Sequence, residues 1–266
     1  MGTRIISAFV ALSILIPALL FGGVLAVEVV VGIVLAIGLW EFATITGDKR
    51  KSSWRLLLAG GLVYWGVLFG GEGAGHASLL LASLFLIISG VMRKDDVETS
   101  FRFLALQVLG VVWVIGLGLH LVLVRRLENG LDWLAVLLIV VIAADSGAYF
   151  AGRALGKHKL YEKVSPKKTW EGVFGGIALA VAALFVVRGT FFSDISVVDC
   201  IVLGVLVSIT SVVGDLAESL LKRAVNVKDS GAIMPGHGGA LDRTDSLLFG
   251  APVIYLYVTY CLGVFG

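Results

Sequence analysis

The sequence carries little charge for its length, and this shortage limits the classes of protein it can encode. Only 15% of its 266 residues are charged, whereas 58% are hydrophobic and the mean hydropathy is +1.00. A soluble domain has about a quarter of its residues charged. The composition therefore excludes an ordinary soluble protein and predicts an integral membrane protein.

Cysteine and histidine are also scarce, with two and four residues respectively. Cys200 and Cys261 both lie in apolar segments and indicate neither a disulfide framework nor a zinc site. Strand-like alternation of apolar and polar residues is absent, which argues against a membrane β-barrel. A net charge of +2 gives no reason to expect a nucleic-acid partner.

What the sequence has instead is a series of apolar segments. About 18 or more apolar residues can cross a bilayer as a helix. The first segment is interpreted as a retained helix, since no cleavage site precedes a polar region. We count nine segments, at about residues 5–22, 24–46, 54–71, 78–92, 103–124, 131–152, 173–189, 199–222 and 246–265. The predicted fold is therefore an all-α integral membrane protein with about nine transmembrane helices.

The polar connections predict the orientation of these helices. If the N-terminus is cytoplasmic, eighteen of the 21 Lys and Arg residues fall on the cytoplasmic side. Such a bias follows the positive-inside rule and places the C-terminus outside. We expect residues 1–130 to form N-terminal membrane helices and 131–266 a catalytic region with cytoplasmic loops 153–172 and 223–245.

Acidic residues inside apolar segments are costly and often mark functional sites. Asp145 and Asp215 lie about 12 Å and 10 Å from the basic residues that end their segments, so they could share one depth. Asp215 has no basic residue at i+3 or i+4, which favours a functional role. For Glu218 a structural ion pair with Lys222, four residues later, is the favoured interpretation.

Two further acids, Asp242 and Asp245, share a face at the start of the last segment. They could cap the helix N-terminus, or they could join Asp215 as oxygen ligands for Mg²⁺. The preceding glycines around His237 allow a tight turn or a close approach of the backbone to a ligand. A lone histidine in such a turn is poor evidence for zinc.

A second polar loop contains SPKKTWEG, residues 165–172. Lys167 and Lys168 precede a helix start at Thr169, an arrangement that suits phosphate binding. An ordinary basic flank of a cytoplasmic loop would give the same pattern.

Taken together, these motifs resemble the phosphatidate cytidylyltransferases, also called CDP-diacylglycerol synthases. The run SLLKRAVNVKDSGAIMPGHGGALDRTD, residues 219–245, is similar to the C-terminal motif of that family, and SPKKTWEG and DSGAYFAG resemble its upstream motifs. The resemblance is strong over about residues 145–250. Over the first five segments it consists only of hydrophobic, multi-spanning character.

The resemblance implies a reaction and its surroundings. CTP and phosphatidic acid would give CDP-diacylglycerol and pyrophosphate with Mg²⁺, and a second cation is possible. It also implies a family-specific helical fold, a homodimer, and an active site facing the cytoplasm from the inner (cytoplasmic) membrane. Both substrates are polyanions, so neutralising their charge is the main catalytic requirement.

The resemblance and the charge pattern together assign roles to residues. The metal ligands are expected to be Asp215, Asp242 and Asp245, which with Lys222 and Arg243 form the catalytic set. The expected substrate-binding residues are Asp145, Ser165, Lys167, Lys168, Thr169, Ser219, Arg223, Lys228, His237, Gly238 and Gly239.

Two alternatives remain open from the sequence. A CTP-dependent lipid kinase or another CDP-lipid synthase would also use CTP, Mg²⁺ and a membrane acceptor. A secondary transporter would also place carboxylates within membrane helices, although the sequence shows no pair of repeated halves.

Overall fold

The computed structural model describes residues 13, 17, 21–46, 53–231, 233 and 238–265, with only the backbone of Glu72. Within these residues the chain is mostly helical. The helices are α1 (Gly23–Ile45), α2 (Ser53–Gly71), α3 (Gly73–Val91), α4 (Val97–Gly110), α5 (Gly118–Arg126), α6 (Gly130–Leu155), α7 (Trp170–Thr190), α8 (Val197–Ala224) and α9 (Leu241–Leu256).

Two irregularities shape these helices. Gly71 separates α2 from α3, and its backbone angles (φ 69°, ψ −162°) are accessible mainly to glycine. A π-helical stretch, Val111–Leu117, joins α4 to α5 without interrupting the helix, and a second one, Tyr257–Cys261, extends α9. Such stretches add one residue to a turn and shift the helix faces that follow.

Seven described helical segments are long and apolar enough to cross a membrane. They correspond to the predicted segments from 24–46 to 199–222, with the span Val97–Arg126 formed by α4, the π-helical stretch and α5. The predicted segment 246–265 corresponds to α9 and its π-helical extension, which are not among these seven segments. The predicted segment 5–22 lies mainly outside the described residues. The chain is therefore a helical, multi-pass membrane protein, and the number nine stays a prediction.

The chain divides into two compact units. The first contains residues 1–119 and 225–243, and the second contains residues 120–224 and 244–266. The boundary predicted at residue 130 divides the chain by function rather than by compactness, and it stays a prediction.

The core of the first unit lies between α1, α2 and the π-helical stretch. Phe42 and Leu56 are fully buried, and the Phe42 ring packs edge-on against Trp113. Gly110 allows this approach, since a Cβ there would meet the Phe42 ring at 2.9 Å. These contacts hold the C-terminal end of α1 in a fixed position.

The core of the second unit contains helices α6 to α9. Gly147 of α6 faces the backbone of Gly175 in α7, where an added Cβ would lie 2.5 Å from the Gly175 carbonyl oxygen. Gly176 and Gly172 make similar contacts with α6. Small residues at a helix interface let two backbones approach closely, as is common in membrane proteins. This packing fixes α6 against α7 and hence the loop that joins them.

That loop contains a β-hairpin that the sequence did not predict. Strands β1 (Lys159–Tyr161) and β2 (Ser165–Thr169) pair in antiparallel fashion, with Lys159 opposite Thr169 and Tyr161 opposite Ser165. The hairpin is short, and it leads directly from β2 into α7.

Candidate active site

The β2–α7 junction places the predicted phosphate-binding lysines. The Thr169 hydroxyl accepts a hydrogen bond from the Gly172 N–H at 3.2 Å and so caps α7. Glu171 holds the preceding loop, since its carboxylate accepts from the His158 N–H at 3.2 Å and lies 2.6 Å from His158 Nδ1. Thr169 is thus buried and has a structural role. Of the two lysines before it, Lys167 is exposed and Lys168 is half-buried.

Lys168 connects this junction to α8. Its Nζ lies 2.6 Å from Asp215 Oδ2, and the Ser219 hydroxyl donates to Asp215 Oδ1 at 3.3 Å. Asp215 therefore does have a basic partner, supplied by another element of the second unit rather than by its own helix. The sequence placed Asp215, Ser219 and Lys168 in one site, and the structure brings these three together.

One turn further along α8, Glu218 makes the ion pair that the sequence favoured. Its carboxylate is fully buried and lies 3.2 Å from Lys222 Nζ, at the i,i+4 spacing. The structural interpretation of Glu218 is confirmed. The Lys222 side chain is only 15% exposed, and its contact with Glu218 lies within its own helix.

Asp245 reaches the same region from α9. Gly214 of α8 packs against α9, since a Cβ there would lie 2.6 Å from the Asp245 carbonyl oxygen, and Ser246 donates to the Ser211 carbonyl at 3.4 Å. Asp245 Oδ1 accepts from the Ser246 N–H at 2.7 Å. This α8–α9 contact places Asp245 beside α8, where its side chain also hydrogen-bonds Glu218.

Asp145, Asp215 and Asp245 form what we call the aspartate cluster of the second unit. The charges of Asp215 and Asp145 both act on Asp245, and the charge of Asp215 also acts on Asp145. Lys168 is the cation that acts on Asp145 from the other direction. Acids that lie close together create a negative potential, which favours a cation or further basic groups beside the paired lysines Lys168 and Lys222.

Asp242 belongs to the first unit, where it organises the loop before α9. Its Oδ2 accepts hydrogen bonds from the Gly239 N–H at 2.8 Å, from the Ser230 N–H at 2.9 Å and from the Ser230 hydroxyl at 2.9 Å. The sequence left helix capping and metal ligation open for this residue. These contacts hold the loop before α9, whereas the first N–H groups of the helix itself bond to Glu41 and Ser230. The capping role is therefore not seen for the Asp242 side chain, and metal ligation by Asp242 stays a prediction.

Glu41, near the C-terminal end of α1, is a buried partner of the same loop. It is 1% exposed, and its carboxylate accepts from the Ala240 N–H at 3.0 Å and the Leu241 N–H at 2.9 Å. The Ser230 hydroxyl lies 3.1 Å from Glu41 Oε2. We call residues 230, 231 and 238–241 the α9 entry loop.

Glycines let these carboxylates approach the loop backbone. A Cβ on Gly239 would collide with Glu41 and with the Ser230 hydroxyl, and one on Gly231 would collide with Glu41. A Cβ on Gly238 would lie 2.6 Å from Asp242 Oδ2. The glycines of this motif therefore make room for protein carboxylates, a use that the sequence alone did not reveal.

The remaining predicted residues occupy varied positions. Ser165 is half-buried in β2, and the side chains of Lys167, Arg223, Lys228 and Arg243 are exposed. His237 lies outside the described residues. Glu41 was missed as a site residue because its only sequence signal is a single acid near the end of an apolar segment.

The donor set suits magnesium in part. Over the described ranges, no group of three or more His, Cys, Asp or Glu side chains is arranged to hold a metal ion. Magnesium, however, is often bound through one or two carboxylates together with substrate phosphates and water. Asp215 and Asp245 fit that smaller requirement, since both lie in the aspartate cluster and carry carboxylate oxygens.

Comparisons with known proteins show which proteins this chain is similar to. A family model described as the cytidylyltransferase family matches residues 2–261. A phosphatidate cytidylyltransferase of Staphylococcus aureus is 34% identical over 262 residues, covering 96% of this chain and 97% of that protein. One of Pseudomonas aeruginosa is 36% identical over 261 residues, covering 94% of each. One of Haemophilus influenzae is 46% identical over 138 residues, which span 50% of this chain and 48% of that relative.

Proposed function

The chain belongs to the cytidylyltransferase family, and from this premise we propose how it carries out cytidylyl transfer. It transfers a cytidylyl group from CTP to phosphatidic acid, giving CDP-diacylglycerol and pyrophosphate, a step of phospholipid biosynthesis. The observation that supports a site for this chemistry is the aspartate cluster, with Lys168 paired to Asp215 at 2.6 Å.

The reaction joins two anions. A phosphate oxygen of phosphatidic acid attacks the α-phosphorus of CTP, and the bond from that phosphorus to the oxygen of the β-phosphate breaks in line. The attacking phosphate is already ionised near neutral pH, so no strong general base is required. What the protein has to supply is orientation and positive charge.

We assign the positive charge to lysines and arginines of the cytoplasmic loops. Lys168, with Ser165 and Lys167 beside it, would hold phosphates of CTP or of the leaving pyrophosphate. Lys168 can exchange Asp215 for a phosphate oxygen, because a half-buried ion pair exchanges partners more readily than a fully buried one. The other proposed phosphate-holding residues are Ser219, Lys222, Arg223, Lys228 and Arg243, and His237 with Gly238 and Gly239 would contact the nucleotide.

Asp215 and Asp245 would hold Mg²⁺, with Asp145 supporting them and Asp242 predicted from the motif. The ion, when bound, would neutralise phosphate charge and stabilise the leaving pyrophosphate. The proposal includes a second cation, because the charges of Asp145, Asp215 and Asp245 act on one another. Lys168 bonds directly to Asp215 of these three.

We further propose the location and assembly of the enzyme. The strong charge asymmetry of the connections and the bacterial relatives support a protein of the inner (cytoplasmic) membrane with its site facing the cytoplasm. Nine spans, a cytoplasmic N-terminus and a C-terminus outside follow from the same asymmetry. The homodimer is proposed from the family resemblance.

The test is CDP-lipid formation from radiolabelled CTP and phosphatidic acid by the purified chain in detergent or nanodiscs. We expect a cytidine-containing lipid and an equal amount of pyrophosphate from the wild type. Asp215→Asn should lower turnover by roughly 100-fold or more, and Asp242→Asn and Lys222→Ala should also lower it. A lipid phosphate without cytidine would indicate a lipid kinase. Ion-driven uptake into proteoliposomes without pyrophosphate release would indicate a transporter.

A further inference from the structure

The start of α9 has its N–H groups satisfied by protein acceptors. Ala240 and Leu241 donate to Glu41, Gly239 donates to Asp242, and the Asp242 N–H lies 3.4 Å from the Ser230 hydroxyl. A helix N-terminus with open N–H groups attracts phosphate. Here the carboxylate of Glu41 occupies the place that a phosphate would otherwise take.

We propose that Glu41 is a positioning residue for cytidylyl transfer, a proposal that rests on the proposed function above. Its carboxylate fixes the backbone of the α9 entry loop, and the loop is flanked by the exposed cations Lys228 and Arg243. By filling the helix N-terminus, Glu41 leaves these side chains, rather than backbone N–H groups, to contact substrate phosphates.

The packing around Glu41 supports a fixed loop. Leu241 is fully buried, and a Cβ on Gly38, one turn before Glu41 in α1, would lie 3.9 Å from its side chain. Gly231 and Gly239 have no space for a side chain beside the carboxylate. The loop therefore contacts α1 through an apolar side chain and through the Glu41 carboxylate. The N–H donors of the loop require two acceptor oxygens at this position.

An amide cannot replace that carboxylate. Both oxygens of Glu41 accept from N–H donors, so Glu41→Gln turns an NH₂ group toward at least one donor while keeping the size of the side chain. Leaving a buried donor without an acceptor is unfavourable. The loop should then open more often, although α1 keeps its apolar packing.

The first measurement is hydrogen–deuterium exchange of the full-length protein in nanodiscs, without substrate. We expect the amides of residues 239–242 to exchange roughly 10-fold faster in Glu41→Gln than in the wild type. Peptides from α8 should exchange as before. This readout does not depend on catalysis.

The second measurement is steady-state kinetics of CDP-lipid formation. Glu41→Gln should lower kcat/KM for CTP by roughly 10-fold or more, with a raised KM, because displaced phosphate-holding groups bind the nucleotide less well. A merely structural role would reduce the folded fraction and the thermal midpoint while the folded molecules kept the wild-type KM.

Matched variants separate the contact from general damage. Gly239→Ala, which pushes against the Glu41 carboxylate without changing charge, should reproduce the faster exchange and the raised KM. Gly61→Ala places its Cβ where nothing lies within 4 Å and should change neither. Glu28→Gln neutralises another buried glutamate of α1, about 20 Å along the helix from Glu41, and should leave the exchange of residues 239–242 unchanged.

The outcomes distinguish the two proposals. If the wild type forms no CDP-lipid, the proposed function is wrong, and the role of Glu41 in it is wrong as well. If the wild type is active but Glu41→Gln keeps the wild-type exchange and KM, only the positioning role is contradicted. Should Glu41→Gln fail to fold, Gly239→Ala decides, and wild-type behaviour of that variant overturns the proposal.

Discussion

The two units contain two groups of acids that differ in what surrounds them. In the second unit, Asp145, Asp215 and Asp245 act on one another through their charges, and Lys168 pairs with Asp215. In the first unit, Glu41 and Asp242 accept hydrogen bonds from neutral backbone N–H groups and from Ser230.

This difference separates acids that can act on a substrate from acids that build the protein. An ion pair with a lysine can be exchanged for a phosphate or a metal ion, because the charges that enter replace the charge that leaves. A carboxylate that accepts several backbone N–H bonds cannot leave without exposing buried donors. Membership of a motif therefore does not decide the role of an acid. Its partners and its burial decide together, since the fully buried Glu218 also pairs with a lysine and is structural.

The largest effect is expected for Lys222, which pairs with the buried Glu218 and is also proposed to hold a substrate phosphate. Lys222→Met leaves Glu218 fully buried without that lysine, which should destabilise the protein by roughly 3–5 kcal/mol and also lower turnover. The double variant Glu218→Gln/Lys222→Met should regain most of the thermal midpoint but not the activity. If the double variant regains turnover as well, Lys222 serves only as the partner of Glu218.

The next effect concerns an acid of the aspartate cluster. Asp245→Asn should reduce CDP-lipid formation by roughly 100-fold or more. Its thermal midpoint should stay close to that of the wild type, because the amide relieves repulsion from Asp215 and keeps a hydrogen-bonding group beside Glu218. Asp194→Asn, an exposed acid between α7 and α8, is the control and should retain activity. A lowered midpoint for Asp245→Asn would move Asp245 into the structural group.

A smaller effect is expected for the lysine that pairs with the cluster. Lys168→Ala should raise the KM for CTP by roughly 10-fold, since it removes a charge-assisted contact with phosphate. Its neighbour Lys163, exposed in the turn between the strands, provides a matched control through Lys163→Ala. Equal KM values for the two variants would contradict a specific role for Lys168.

The smallest effect is expected at the hydroxyl between the two structural acids. Ser230→Ala removes a group that lies 3.1 Å from Glu41 and 2.9 Å from Asp242. It should lower stability by about 1 kcal/mol and turnover by only a few-fold. A loss as large as that of Asp245→Asn would mean that the Ser230 hydroxyl acts in the chemistry itself rather than through the position of the loop.

The contacts that sequence reasoning predicted correctly are those that a helix encodes locally. The Glu218–Lys222 pair follows from a spacing of four residues. The motif also indicated a helix start at Thr169, although it did not predict that the Thr169 hydroxyl caps α7. Seven of the nine predicted apolar segments match long apolar helices in the described residues for the same reason, since length and hydropathy are local properties.

The contacts that it missed join distant parts of the chain. Nothing in the sequence around Asp215 indicates that Lys168, in a separate hairpin, supplies its partner. Likewise Glu41 is a single acid near the end of an apolar segment, and its partners are 189 to 200 residues away. The β1–β2 hairpin was missed because its strands have three and five residues, too few for a periodic pattern.

The long separation between Glu41 and the start of α9 also affects the order in which the chain acquires its structure. Glu41 is synthesised 200 residues before Leu241. At roughly 5–20 residues per second, this interval lasts about 10–40 s. During that time the carboxylate has none of its loop partners. Closure of the loop is therefore one of the last steps of biogenesis.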